Sequence, residues 1–159
     1  MLSTPKTSDA MAADYVRRAH ARDLTIGIMG LGYVGLPLAE AFLRAGFRVL
    51  GFDIDRNKID LLNAGKTYIQ HIPDERIAAM KATGRLEVTS DEGRLPTGDA
   101  LLMCVPTPLN AHREPDISYV SDTTEMIARH LRPGQLVILE STTYPGTSDE
   151  VVKVILEKT

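Results

Sequence analysis

The sequence predicts an α/β fold: a doubly wound parallel sheet with helices on both faces. Two observations favour it. Short, β-branched apolar runs alternate with helical periodicities along the 159 residues. The first of these runs leads through a glycine-rich turn into a helix. A chain of this length supports one sizeable core, so one domain is expected.

The first elements flank the glycine-rich turn. Residues 1–7 are expected to form a disordered tail, and Ser8 is a suitable N-cap for a leader helix over 9–23. Helical spacing predicts its apolar face at Met11, Tyr15, Val16 and Ala19. The apolar run 24–29 predicts the first strand. A helix follows the glycines, with Pro37 tolerated in its first turn and Gly46 as its C-terminal stop.

The remaining elements repeat this alternation. Apolar runs predict four further strands, at 47–54, 86–90, 99–105 and 135–141. Helical periods and end signals predict helices at 55–65, 73–82, 117–131 and 148–158. Three prolines exclude regular structure from 106–116. We expect the strand order 3-2-1-4-5, with a tail and leader helix at 1–22 and the sheet domain at 23–159. A doubly wound domain of two halves has six strands, so the segment is expected to be cut from a longer protein before the sixth.

Three glycines lie between the first strand and its helix, in "GLGYVG". This context matches the dinucleotide-binding fingerprint of the Rossmann fold. Gly30 would permit the tight turn, Gly32 the close approach of a diphosphate, and Gly35 the close packing of helix and strand. Amides at the helix N-terminus, expected at Tyr33 and Val34, would bind the diphosphate. The alternative is a glycine-rich turn with a purely structural role.

An acidic residue follows at the end of the second strand. Asp53 lies 23 residues after Gly30, where the fingerprint expects a carboxylate that binds a ribose diol. A carboxylate there also repels a 2′-phosphate, so NAD is favoured over NADP, although Arg56 nearby weakens that inference. The alternative is a solvated aspartate that only ends the strand.

Two hydroxyl-rich, proline-stiffened loops leave the fourth and fifth strands. They are "CVPTPLN" and "ESTTYPGTS". In the expected strand order both loops reach the crevice where ligands bind, and they suit a wall around the nicotinamide half of the cofactor. The alternative is that they are ordinary loops whose hydroxyls cap helices.

Four stretches, taken together, resemble a known family. "GIMGLGYVGLPLA", "GFDID", "CVPTPL" and "LESTTYPGTS" are similar in order and separation to the N-terminal NAD-binding domain of the UDP-glucose/GDP-mannose dehydrogenase family. "YIQHIP" and "STTYPGT" look most like the branch that oxidises UDP-N-acetylglucosamine. The resemblance implies NAD-dependent, four-electron oxidation of carbon 6 of a nucleotide sugar.

The resemblance also implies roles for individual residues. It places Lys58 on the adenosine side of NAD, and it makes Thr142 the threonine that helps to hold a catalytic water. It implies that the cofactor is lined by Val105, Pro106, Thr107, Pro108, Leu109 and Ser141. The family's glutamate, lysine, asparagine and nucleophilic cysteine lie beyond Thr159. This segment alone is therefore expected to bind NAD and to be inactive, within a parent that forms a homo-oligomer.

Other residue types exclude several functions. Cys104 ends an apolar strand and matches the cofactor loop, so it is interpreted as a buried thiol and not as the nucleophile. The four histidines lack metal-ligand spacing, so no metal is expected, and neither His71 nor Glu140 is assigned a role. The net charge of −3 offers no nucleic-acid-binding face, and no apolar run is long enough for a membrane span. The predicted location is cytoplasmic.

Two other functions stay open at this point. One is a different NAD-dependent enzyme with the same opening, such as a 3-hydroxyacid or 6-phosphogluconate dehydrogenase, against which the two loops argue. The other is a non-catalytic module that binds a nucleotide and regulates a partner. Within the family, UDP-glucose and UDP-N-acetylmannosamine are alternative substrates.

Overall fold

A computed structural model describes residues 8–109 and 115–158. In these ranges the chain forms a five-stranded parallel sheet in the order β3-β2-β1-β4-β5, which confirms the predicted fold class and topology. The strands are β1 (Thr25–Met29), β2 (Arg48–Phe52), β3 (Leu86–Thr89), β4 (Ala100–Met103) and β5 (Leu136–Leu139). The α-helices are α1 (Ser8–His20), α2 (Gly35–Arg44), α3 (Arg56–Asn63), α4 (Asp74–Ala82), α5 (Ser118–His130) and α6 (Lys153–Leu156). The predicted tail at 1–7 lies outside the described residues.

Two short helices differ from the prediction. A 3₁₀ helix over Glu92–Thr97 was not predicted, because six residues that contain Pro96 carry no apolar period. The last predicted helix begins instead with a π-helical turn, Ser148–Val152, and only then continues as α6. The predicted strands also extend one or two residues beyond the observed ones at one or both ends. At β4 the reason is that apolar residues, Cys104 and Val105, continue past the last paired residue.

The sheet separates two hydrophobic cores. Alternate residues of β4 point to opposite faces, as the period of a strand requires. Ala100 and Leu102 join the core that is covered by α2, α3 and α4, whereas Leu101 and Met103 join the core beneath α5. The three central strands β1, β2 and β4 are thus buried on both sides, as is typical of parallel sheets, whereas the edge strands β3 and β5 are partly exposed.

The leader helix α1 packs on the first of these cores. Tyr15 and Ala19 contact it, but Val16, predicted on the same face, is 54% exposed. Arg18 takes the inward position instead, and its guanidinium donates two hydrogen bonds, of 3.0 and 2.8 Å, to the buried carboxylate of Asp99. The same carboxylate accepts from the Thr25 amide at 2.9 Å and from Arg132 at 2.9 Å. Asp99 therefore joins α1, β1 and the segment before β5 at one point.

In the part of the chain that the structure describes, helices reach 13 residues at most, which is too short to cross a bilayer. The described residues also contain no group of three His, Cys, Asp or Glu side chains that could hold a metal ion.

Candidate dinucleotide site

The glycine-rich turn connects the C-terminal end of β1 to α2. Gly30 has a φ of +92°, which an L-residue with a side chain rarely adopts, and its amide donates to the Phe52 carbonyl at 2.8 Å. Gly35 lies so close to the turn that a Cβ there would be 1.9 Å from the Gly30 carbonyl oxygen. The turn and the close helix packing expected of these two glycines are therefore present.

Gly32 is in a different environment from the other two glycines. It lines a cavity, and a Cβ built on it would meet no atom within 4 Å. The amide N–H groups of Gly32, Tyr33 and Val34 have no hydrogen-bond acceptor among the described residues. α2 has no acidic residue in its first turn, so no carboxylate of the helix itself offsets the positive end of its dipole. These three amides form a site that can accept an anion.

Asp53 lies directly after β2 and is only 5% exposed. Its Oδ2 accepts the Leu31 amide at 2.9 Å and the Lys58 ammonium at 3.1 Å, while Oδ1 accepts the Asp55 amide at 3.0 Å. Since an ionised carboxylate has about four acceptor positions, acceptor capacity remains on the side that lines the cavity. A hydroxyl donor in the cavity can therefore reach this carboxylate.

The cavity itself lies at the carboxyl ends of β1, β2, β4 and β5 and has a volume of about 560 Å³. Most of the residues predicted to bind the cofactor line it. They are Gly30, Gly32, Tyr33, Val34, Asp53, Lys58, Val105, Pro106, Thr107, Ser141 and Thr142. Three predicted residues, Gly35, Pro108 and Leu109, do not line it. Gly35 lies behind the turn. The Pro108 carbonyl accepts a hydrogen bond from the Asp116 amide at 2.7 Å, and Leu109 forms a bridge with Pro115 beside it.

The two loops after β4 and β5 are joined by Ser141. Its hydroxyl donates to the Val105 carbonyl at 2.7 Å, so this side chain connects the loops. The Thr142 hydroxyl, in contrast, has no hydrogen-bond partner within the described ranges and borders the cavity. It is available to bind a water or a ligand oxygen. The alternative role of such hydroxyls, the capping of a helix, is not seen for Thr142 among the described residues.

Cys104 is buried beneath the cavity. Burial and, to a lesser degree, the negative charge of Glu140 raise the pKa of its thiol to about 11. A thiol that stays protonated near neutral pH is a poor nucleophile. The interpretation of Cys104 as a small buried residue is therefore confirmed. His71 is exposed and does not line the cavity, whereas Glu140 lines it and is exposed.

One wall of the cavity could not be identified from the sequence. It is formed by Tyr119, Thr123 and Met126 on α5. Their spacing at i, i+4 and i+7 puts them on one helix face, a signal that was present in the sequence but that does not tell a ligand-facing surface from a core-facing one. Ile54 and Asp55 also line the cavity and were not singled out.

Comparison with known proteins points to one family. Residues 24–159 match the UDP-glucose/GDP-mannose dehydrogenase family, NAD binding domain. UDP-N-acetyl-D-glucosamine 6-dehydrogenase of Pseudomonas aeruginosa is 36% identical over 137 residues, which are 86% of this chain and 32% of that protein. UDP-N-acetyl-D-mannosamine dehydrogenase of Pyrococcus horikoshii is 35% identical over 133 residues, 83% of this chain and 32% of that protein.

Solved structures agree with the sequence relatives. The ternary complex of GDP-mannose dehydrogenase from Pseudomonas aeruginosa superimposes with a TM-score of 0.79 at 33% identity, covering 84% of this chain and 32% of that one. UDP-glucose dehydrogenase from Pyrobaculum islandicum gives a TM-score of 0.79 at 28% identity, and the match covers 85% of this chain and 32% of that one. This chain thus spans about a third of the relatives it matches. The turn presents three amides that are unpaired among the described residues, a carboxylate lies beside it, and the family match covers residues 24–159. The chain therefore belongs to the UDP-glucose/GDP-mannose dehydrogenase family and contains its NAD binding domain.

Proposed function

We propose that this chain binds NAD in the cavity at the carboxyl ends of β1, β2, β4 and β5, as the cofactor-binding part of a UDP-sugar 6-dehydrogenase. The observation that carries the proposal is that the amides of Gly32, Tyr33 and Val34 have no acceptor within the described part of the chain and border a cavity open enough for a diphosphate. The residues present therefore fit the cofactor that the family uses.

Each group of residues has a proposed part in binding. The turn from Gly30 to Gly35 holds the diphosphate on main-chain amides, and Asp53 accepts hydrogen bonds from the adenosine ribose. Lys58 lies on the adenosine side, where it also pairs with Asp53. Val105, Pro106, Thr107 and Ser141 form the wall on the nicotinamide side. Asp53 also disfavours a 2′-phosphate, which supports NAD over NADP.

Thr142 is the residue of this chain that we place nearest the chemistry. When bound, NAD supplies a hydride acceptor. The free Thr142 hydroxyl can orient a water or a substrate oxygen without changing its protonation near neutral pH. Cys104 takes no part, because its thiol is buried and protonated. The other catalytic groups of the parent enzyme are proposed to lie outside this chain, which alone oxidises no sugar.

The proposed substrate of the whole protein is UDP-N-acetylglucosamine, oxidised at carbon 6 from alcohol to carboxylate with two NAD. It is supported by the "YIQHIP" and "STTYPGT" stretches and by the Pseudomonas aeruginosa relative named for that activity. UDP-N-acetylmannosamine is the second candidate, because the Pyrococcus horikoshii and Escherichia coli relatives are named for it at 35% and 37% identity. The parent is proposed to be a homo-oligomer.

Two experiments test these proposals separately. Calorimetric titration of this chain with NAD and NADP should show binding of NAD and weaker binding of NADP. NADH formation by the full-length protein should then be measured with UDP-N-acetylglucosamine, UDP-N-acetylmannosamine, UDP-glucose and GDP-mannose. Binding of NAD without turnover of any sugar would favour a regulatory module, and failure to bind NAD would refute the proposed site.

A further inference from the structure

Leu31 lies at the centre of the glycine-rich turn and is completely buried. Its side chain occupies the space above Gly51 of β2, where a Cβ would be 3.0 Å from Leu31 Cδ2 and 3.2 Å from Val88 Cγ1. Its amide donates to Asp53 Oδ2 at 2.9 Å. The side chain and the amide of Leu31 are therefore both held by β2 and the residue that follows it.

The carbonyl of Leu31 is held from a different part of the chain. It accepts a hydrogen bond from the hydroxyl of Tyr68, which is 37 residues away in the "YIQHIP" stretch. The flanking residues Ile69 and Ile72 are buried in the core next to the sheet, so the stretch is anchored on both sides of its exposed loop. Because a buried carbonyl without a partner is costly, Tyr68 supplies a bond that the turn requires.

A third side chain joins Tyr68 to Asp53. The Lys58 ammonium lies 3.1 Å from Asp53 Oδ2 and 5.6 Å from the centre of the Tyr68 ring, within the range of a cation–π contact. Burial and the charges of Asp53 and Asp55 raise the pKa of the Tyr68 hydroxyl well above its usual range. The hydroxyl therefore stays protonated and remains a donor.

The geometry of the peptide unit links this contact to the anion site. Leu31 C=O and Gly32 N–H belong to one planar trans peptide, in which the two bonds point in opposite directions. A hydroxyl that fixes the direction of the carbonyl therefore also fixes the direction of the Gly32 N–H, which has no acceptor in residues 8–109 and 115–158. Tyr68 itself does not line the cavity.

On the premise that a diphosphate binds at these amides, as proposed above, we infer that Tyr68 is a positioning residue of the site. Its hydroxyl holds the Leu31–Gly32 peptide in the orientation that presents the Gly32 N–H to the diphosphate. The "YIQHIP" stretch thus acts on cofactor binding from behind the turn, without contact to the cofactor.

The test compares Tyr68→Phe with Tyr15→Phe in the full chain, by calorimetric titration with NAD, ADP and adenosine. Tyr15 is a matched control, because it is also half-buried against the core and its hydroxyl has no hydrogen-bond partner in the described ranges. We expect Tyr68→Phe to lower the affinities for NAD and ADP about tenfold and to leave the affinity for adenosine unchanged. Tyr15→Phe should change none of the three affinities. Replacement of Tyr68 by 4-aminophenylalanine, which restores a donor at the same place, should restore the affinity.

Two results would overturn the inference. One is equal behaviour of the two phenylalanine variants, and the other is a loss of the same factor for adenosine as for NAD, which would indicate general loosening of the fold. Two other results would refute the proposed diphosphate site and, with it, the inference about Tyr68: no binding of NAD or ADP by the wild-type protein, or an unchanged affinity for NAD and ADP in Gly32→Ala.

A measurement on the wild-type protein applies if Tyr68→Phe does not fold. A phosphate that accepts the Gly32 N–H polarises the shared peptide and strengthens its carbonyl as an acceptor. The ¹³Cζ resonance of Tyr68 should therefore move on addition of ADP and not on addition of adenosine. A resonance that ADP leaves in place would contradict the role of Tyr68.

Discussion

The substitution Gly32→Ala separates ligand binding from folding. A Cβ at Gly32 meets no heavy atom of the described residues within 4 Å, and Gly32 does not have a left-handed φ. Alanine also restricts the unfolded chain more than glycine does. We therefore expect the free energy of unfolding to change by less than about 1 kcal/mol, in the stabilising direction.

The expected loss of affinity is much larger. The added methyl group occupies the open space beside the three unpaired amides and keeps a diphosphate away from them. Hydrogen bonds to charged groups each contribute about 1.5–3 kcal/mol. The loss of two of them therefore lowers the affinity for NAD by at least about 100-fold. Adenosine, which has no phosphate, should bind as it does to the wild type.

Isothermal titration calorimetry with NAD, ADP and adenosine measures these affinities, and urea unfolding measures stability. Gly65→Ala is the control for binding: its Cβ also meets nothing within 4 Å, but its φ of +74° makes alanine cost about 1 kcal/mol of stability without a change in NAD affinity. Gly35→Ala is the control for folding, because its Cβ would overlap the Gly30 carbonyl oxygen and destabilise the domain by at least about 3 kcal/mol. A Gly32→Ala protein that binds NAD within about threefold of the wild type would refute the placement of the diphosphate.

Three further predictions concern Asp53, Asp99 and Cys104. Asp53→Asn should lower the affinity for NAD about tenfold and reduce the preference of the protein for NAD over NADP, because the charge that repels a 2′-phosphate is removed. Titration with both cofactors measures this preference. An unchanged preference would exclude the proposed role of Asp53. Burial opposes ionisation of Asp99, but hydrogen bonds from Arg18, the Thr25 amide and Arg132 outweigh it and hold the pKa of the carboxyl below its usual value. The charged Asp99 therefore stabilises the fold above the unfolded pKa of about 3.9, and this contribution is lost as the pH falls through the lower folded pKa. Asp99→Asn should lower the free energy of unfolding by about 2–3 kcal/mol at neutral pH and by progressively less below about pH 4. Urea unfolding at each pH measures this loss, and a loss that does not change with pH would contradict the role of the charge. Since the pKa of Cys104 is about 11, iodoacetamide should label it at pH 8 more than about 100-fold more slowly than free cysteine, as followed by mass spectrometry. Labelling of the folded protein at the rate of free cysteine would show that the thiol is not buried and protonated.

The outline of the fold could be predicted because its signals are local. The run 24–29 is apolar and β-branched, and a glycine at position 30 is compatible with its positive φ, so strand and turn follow from residue type. Strand ends were less predictable. The run 99–105 continues past the paired residues of β4, because the cavity wall formed by the buried Cys104 and the partly buried Val105 favours the same residue types as a strand.

The candidate site could be predicted in part. Gly32 and Asp53 belong to a pattern with fixed spacing, so sequence alone places them at one corner of the sheet. The wall on α5 could not be found in this way, since Tyr119 and Thr123 have the spacing of any amphipathic helix. The leader helix shows the same limit: Val16 has an apolar side chain at a helical position, yet Arg18 faces inward because Asp99 is there to receive it.

By itself, the sequence determined the order of the strands and longer helices and the glycine-rich turn, because these depend on neighbouring residues and on backbone sterics. The alternation of strands and helices in turn implied a parallel sheet. Only the tertiary structure decided which polar groups meet: Tyr68 with the Leu31 carbonyl across 37 residues, and Arg18 with Asp99 across 81. The physical reason is that residue type specifies a donor or an acceptor but not its partner. The partner is selected by the packing of helices on the sheet, which brings distant segments within hydrogen-bond distance.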